Sequence, residues 1–222
     1  MEQHIRPADI ERTSMSIIRE ELERMDIHLP PETEAVVRRV IHTTADFDYA
    51  RNLCFTPGAV ELGVAALRRG TPIITDTNMT RAGVSAPGLE KLGSRVACYM
   101  ADPEIARLAR ERGTTRAAAS MERASREEPG AILAVGNAPT ALLEIVRQME
   151  LGFRPGLVIG VPVGFVNVVE AKEQLLSACR SMEVPAIVAL GRKGGSNVAA
   201  AICNALIYTA TDMLDPVKRG WN

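Results

Sequence analysis

Residues 131–151 read AILAVGNAPTALLEIVRQMEL. The first five are apolar without alternation and stop at Gly136. That run is too short for a helix and has the pattern of a strand buried on both faces. After a turn of small residues the pattern becomes helical over 138–151. Four more apolar runs repeat the theme: PIIT (72–75), RVACYM (95–100), LVIGV (157–161) and AIVAL (186–190). Helical segments separate them, the clearest at 102–112, 167–182 and 196–210. Asp102 followed by Pro103 reads as a helix start, and Ser196 as the N-cap of another helix. Strand and helix alternating at this spacing give βαβ units and a parallel sheet. Right-handed crossovers then put helices on both faces. The expected fold is α/β, a three-layer sandwich with five parallel strands.

The first 70 residues differ. They hold helical stretches at 13–25, 30–44 and 58–70, with a break at Pro30–Pro31 and no convincing strand. The expected organisation is one α/β domain over 1–222. It has a helical N-terminal segment at 1–70, parallel βα units at 71–210 and a C-terminal tail at 211–222. At 222 residues, one sizeable core is the natural size.

Composition narrows the function classes. Hydrophobic residues are 46% and charged residues 24%, the balance of a globular protein, and formal charge is −1. No overall basic field draws the chain to nucleic acid or an anionic membrane. Aromatics at 4% argue against base-stacking platforms. The start lacks a signal-peptide layout, and no run of about 18 apolar residues exists to span a membrane. Cys54, Cys98, Cys179 and Cys203 are scattered and form no C-x-x-C, which argues against a disulfide framework or zinc site. A reduced, cytoplasmic setting is expected.

In an open parallel sheet, ligands bind beyond the carboxyl ends of the strands. The loops there read DTNMTRAGVS (76–85), ADPE (101–104), GNAPT (136–140), PVGFVN (162–167) and GRKGGSN (191–197). Gly and Pro in any one of them serve as ordinary tight turns. Three such loops on one sheet edge suggest a site. In GRKGGSN, Gly194 and Gly195 bare backbone N–H groups, Ser196 opens a helix, and Arg192 and Lys193 add charge. This predicts an anion cradle for phosphate or carboxylate. Neither a Walker loop nor a G-x-G-x-x-G is present. In RGTTRAAAS (112–120), Thr114 or Thr115 caps a helix with Arg116 in its first turn. A cation there opposes the helix dipole, which hints at a ligand-facing arginine.

The stretch VVRRVIHTTADFDY (36–49) carries His42, Asp46 and Asp48. On a helix His42 and Asp46 share a face but Asp48 does not, and no second histidine is near, so a metal site is disfavoured. Two readings remain: a helix-end histidine held by the dipole and a neighbouring carboxylate, or a general acid. His4, near the start, and His28, before Pro30–Pro31, are weaker candidates.

The chain resembles the precorrin-8X methylmutases of corrin (vitamin B12) biosynthesis, including the cobalt-precorrin-8 methylmutases. The resemblance rests on IERTSMSIIREE, VVRRVIHTTADF, PIITDTNMTRAGV, GTTRAAAS, AVGNAPTALLEI, IGVPVGFVNVVEAKE and GRKGGSNVAAAICNAL, which together cover nearly the whole chain. It implies a flavodoxin-like fold and a homodimer with active sites near the subunit interface. It also implies a reaction: a methyl group moves from C11 to C12 of the macrocycle in an intramolecular [1,5] shift, giving hydrogenobyrinate or cobyrinate without any cofactor. The family's catalytic histidine falls on His42. Substrate contacts are expected at Ser14, Asp76, Met79, Ser85, Arg116, Gly136, Asn137, Pro139, Thr140, Pro162, Val163, Gly164, Phe165, Arg192, Lys193, Gly194, Gly195 and Ser196. A non-catalytic corrinoid carrier would use the same loops.

Overall fold

The computed structural model describes residues 6–220, so His4 lies outside the described residues. The helical first part comprises α1 (Pro7–Arg24), α2 (Pro31–Thr44), α3 (Tyr49–Asn52) and α4 (Ala59–Arg68), with a strand β1 (Leu53–Phe55) before α4. Next come β2 (Ile73–Thr75), α5 (Asn78–Gly83), α6 (Ala86–Lys91), β3 (Val96–Ala97), α7 (Pro103–Glu111) and α8 (Arg116–Glu127). The chain continues through β4 (Ile132–Val135), α9 (Pro139–Glu150), β5 (Leu157–Gly160), α10 (Val168–Ser181), β6 (Ala186–Ala189) and α11 (Ser196–Ala210). A 3-10 helix, Pro216–Arg219, closes it.

The sheet is mixed and six-stranded, in the order β1-β6-β5-β4-β2-β3. This corrects the expected five parallel strands. Five do run parallel, but β1 pairs antiparallel with β6, Leu53 opposite Ala189 and Phe55 opposite Ile187. β1 has only three residues between a helix and a Thr-Pro-Gly turn, too few to show a periodicity. The run at 95–100 shrinks to the two-residue edge strand β3.

Alternation along the strands feeds two cores. Ile73, Ile132, Leu157, Ile159 and Ile187 face α2, α4 and α11. Ile74, Leu133, Val135, Val158 and Val188 face α8, α9 and α10. Successive strand residues point to opposite faces, so both faces being covered requires an unbroken apolar run. The central helix α11 is apolar nearly all round, with Val198 through Cys203 buried between the sheet and α2.

Helix starts follow local chemistry. Asp102 accepts the Glu104 N–H at 2.8 Å, and Thr115 accepts the Ala118 N–H at 3.1 Å. Ser196 is a correction. Gly195 takes the N-cap position of α11, Ser196 is the first helical residue, and no side chain caps that end.

Candidate active site

The strand order reverses between β2 and β4, the kind of switch point where α/β sheets open a crevice. Asp76, the residue after β2, is fully buried there. Its carboxylate accepts the N–H groups of Gly136, Asn137 and Ala138 at 2.9, 2.8 and 2.8 Å. Burial pushes this carboxyl up and the three N–H bonds pull it back, leaving it above its ordinary value. Both oxygens are thus spent on loop backbone, and Asp76 shapes the site rather than facing it.

Adjacent loops lock onto one another. The Thr77 hydroxyl lies 2.8 Å from the Ser196 hydroxyl. Gly136 passes so close to the start of α11 that a Cβ would sit 2.7 Å from the Ser196 Cα. A Cβ on Gly194 would collide with the Val161 carbonyl oxygen. Gly195 donates its N–H to that same carbonyl at 2.9 Å, and Gly164 donates to the Arg192 carbonyl at 3.2 Å. The loops after β2, β4, β5 and β6 therefore form one floor.

Above this floor the side chains are exposed. Met79 is 72% accessible and Phe165 81%, with Val163 and Val166 also open. The Arg192 guanidinium lies 5.6 Å from the Phe165 ring centroid. Thr115 and Thr140 share a hydrogen bond of 2.8 Å, which joins the N-terminal ends of α8 and α9. Arg116 and Asn137 are exposed at that end, beside Pro139 and Thr140. Exposed apolar side chains with the exposed Arg116 and Arg192 near them suit a largely apolar ligand with carboxylate substituents.

Two lysines govern the loop at 191–196. Lys172 is fully buried on α10, and its Nζ donates to the carbonyls of Gly191 and Lys193, each at 2.8 Å. Burial lowers its pKa to about 8. The Lys193 ammonium instead reaches Asp46 and Asp48, each at 2.6 Å. Those aspartates are not the imidazole supports suggested by the stretch 36–49. Among the described residues neither bonds to His42.

His42 lies in the last turn of α2, which ends at Ala45 in the left-handed conformation. Its side chain is exposed on the flank made by α1, α2 and the 3-10 helix. Partial desolvation of the ring by the surrounding flank, and repulsion from Arg39, lower its pKa, against a weaker pull from Glu11. Glu11 is itself buried between Arg39 at 2.7 Å and Arg219 at 2.6 Å. A cavity of about 410 Å³ beside this group is lined by Arg12, Arg38, Arg39 and Asp215 among others.

The expected contacts thus divide. Asp76, Gly136, Asn137, Pro162, Gly164, Phe165, Arg192, Gly194, Gly195 and Ser196 are joined directly, and Arg116, Pro139 and Thr140 flank them. Ser14 stands apart on α1, where its hydroxyl bonds to the Ile10 carbonyl. Ser85 caps α6 through the Gly88 N–H. Thr77 and Lys172 were missed. Lys172 had a signal: it falls in the stripe Val168, Ala171, Leu175, Leu176 and Cys179, where a charge is anomalous. Among the described residues no three His, Cys, Asp or Glu side chains group to hold a metal ion.

Residues 9–209 match the family described as precorrin-8X methylmutase. The cobalt-precorrin-8 methylmutase of Salmonella typhimurium is 44% identical over 206 residues, 91% of this chain and 95% of that protein. The precorrin-8X methylmutase of Pseudomonas aeruginosa is 39% identical over 198 residues, 89% and 93% of the two chains. Among solved structures, the precorrin-8X methylmutase of Thermus thermophilus aligns with a TM-score of 0.82 and 42% identity, covering 91% of this chain and 98% of that one. With sequence identity near 40% along almost its whole length and the same fold, the chain belongs to the precorrin-8X methylmutase family, isomerases of cobalamin biosynthesis.

Proposed function

We propose that the chain moves the methyl group on C11 of precorrin-8X, or of its cobalt-bearing counterpart, to C12 in an intramolecular [1,5]-sigmatropic shift. The observation that carries this reading is the joined loop floor, cationic at its rim and apolar above, in a chain of this family. The C11–methyl bond breaks as the C12–methyl bond forms, so atoms and electrons balance within the substrate. Any cobalt present arrives with the substrate.

His42 is the proton donor in this reading. Protonating the conjugated macrocycle makes it electron-poor near the migrating methyl group. The proton returns to the imidazole afterwards, as an isomerisation requires. Partial desolvation and Arg39 hold His42 below its ordinary value in the free protein, so it is a stronger acid once charged. The carboxylates of an incoming substrate oppose Arg39 and favour the charged imidazole. Substrate and proton then bind together, by linkage. Arg116 and Arg192 take substrate carboxylates, and Met79, Val163 and Phe165 meet the flat ring. Because His42 sits on the flank of one protomer, we assign the working form to a homodimer with sites near the interface. Each protomer is one α/β unit, and four free cysteines fit a reducing cytoplasm.

The test is conversion. The protein incubated with precorrin-8 should change the absorption spectrum to that of the corrin product. Stoichiometric binding without that change would identify a corrinoid carrier instead. His42→Ala should lower turnover by about 10²–10⁴-fold with product affinity kept. Turnover near that of the unaltered protein would make His42 structural.

A further inference from the structure

We propose that Lys193 is a positioning residue, which clasps Asp46 and Asp48 and so sets the end of α2, with His42 on it, against the loop at 191–196. This rests on the methylmutase reading in which His42 is the donor.

The geometry separates Lys193 from its neighbour. Arg192 has no carboxylate partner among the described residues and lies over Phe165, open to a ligand. Lys193 spends two of its three N–H donors on two carboxylates, 2.6 Å each. A substrate carboxylate approaching that ammonium would meet Asp46 and Asp48 as well, so the position is a poor anion site. Adjacent residues thus have opposite tasks: Arg192 faces the ligand and Lys193 faces the protein.

The clasp has one fixed side. Lys172 holds the carbonyls of Gly191 and Lys193 from beneath, and Gly195 is bonded to Val161. The backbone that carries Lys193 is therefore tied to α10 and to the end of β5. The other side is short and turn-like. Asp46 follows the left-handed Ala45 that ends α2, and its own carboxylate accepts the Asp48 N–H at 3.0 Å. Without the clasp, the segment 45–48 is held from its two ends, by α2 before it and by α3 after it, where the Asn52 carbonyl accepts the Leu190 N–H at 2.8 Å. Since His42 lies one helical turn before Asp46, the clasp fixes the height and direction of the helix end on which the imidazole rides. A misplacement of about 1 Å is enough to matter for proton transfer.

Four variants test this: Lys193→Met, Lys193→Arg, the double variant Asp46→Asn/Asp48→Asn and the triple variant that combines the double with Lys193→Met. Lys193 and Asp48 are exposed and Asp46 half-buried, and Asn keeps the Asp46 acceptor for the residue 48 N–H, so folding is kept and Tm is expected to stay within about 3 °C. Lys193→Met should lose kcat by about tenfold while product Kd stays within about twofold. Lys193→Arg should restore most of kcat, because a guanidinium spans the same two carboxylates. The Asn pair should cost as much as Lys193→Met, and the triple variant no more than either, since one contact is being removed. Unchanged kcat in Lys193→Met would overturn the proposal. So would a salt-dependent rise in Kd, which would make Lys193 a direct carboxylate contact. If the unaltered protein binds precorrin-8 without converting it, the methylmutase reading falls. Amide exchange at 44–48, expected at least tenfold faster in Lys193→Met, still reports the clasp by itself.

Discussion

The loop floor and the helical flank are held together by different physics. At the floor the ties are short-range and directional: Asp76 receiving three backbone N–H groups, Thr77 against Ser196, Gly195 on Val161. At the flank they are pairings of full charges, Glu11 with Arg39 and Arg219, and Lys193 with Asp46 and Asp48. Buried amide-to-carboxylate bonds are little affected by salt, whereas exposed ion pairs are screened. The loop floor and the Glu11 cluster, both largely buried, therefore keep their contacts across salt concentrations, whereas the more exposed Lys193 clasp weakens as salt rises.

The largest effect should come from breaking the floor. Asp76→Ala leaves three N–H groups, that of Gly136 buried and those of Asn137 and Ala138 part-buried, without their acceptor and should cost about 4 kcal/mol, read by denaturant unfolding. Loss of under about 1 kcal/mol would show that the loops hold themselves. Next is Glu11→Gln at the flank. It weakens contacts to two arginines and should cost about 2 kcal/mol. It also removes a pull that raises His42, so the alkaline limb of the activity profile should move to lower pH.

The pH response separates the regions further. Burial raises Glu11, but Arg219 and Arg39 outweigh it, so its folded value lies below the ordinary one. Its contribution is present above the ordinary carboxylate range and is lost as pH falls through that lower value. Asp76 behaves in the opposite sense. Its folded value is raised, so the folded state takes up a proton first and gains as pH falls through that window. Amide exchange on acidification should therefore quicken in α1 and α2 before it does at Gly136–Ala138. The smallest effect is expected of Arg116→Ala: product Kd weaker by about fivefold at low salt, and less at high salt. No change at either would leave Arg116 as a solvated side chain.

The layered fold and the loops that follow its strands were legible in the sequence because buried strands announce themselves as unbroken apolar runs. β1 was not, since three residues carry no period and its pairing with β6 is set by tertiary contact. The glycines at 136 and 194 were legible as turns but not as points of contact between loops, which depend on strand order. The contact of Lys193 with Asp46 and Asp48 was out of reach for the same reason, because they lie nearly 150 positions away. Lys172 could have been found from its place in an apolar stripe.

The edge strands carry a consequence for assembly. β1 offers three residues and β3 only two. Neither presents enough unpaired backbone to template another chain, so runaway ribbon growth and strand exchange are suppressed at both borders. Any association between copies of this chain would therefore have to use helix and loop side chains rather than strand edges.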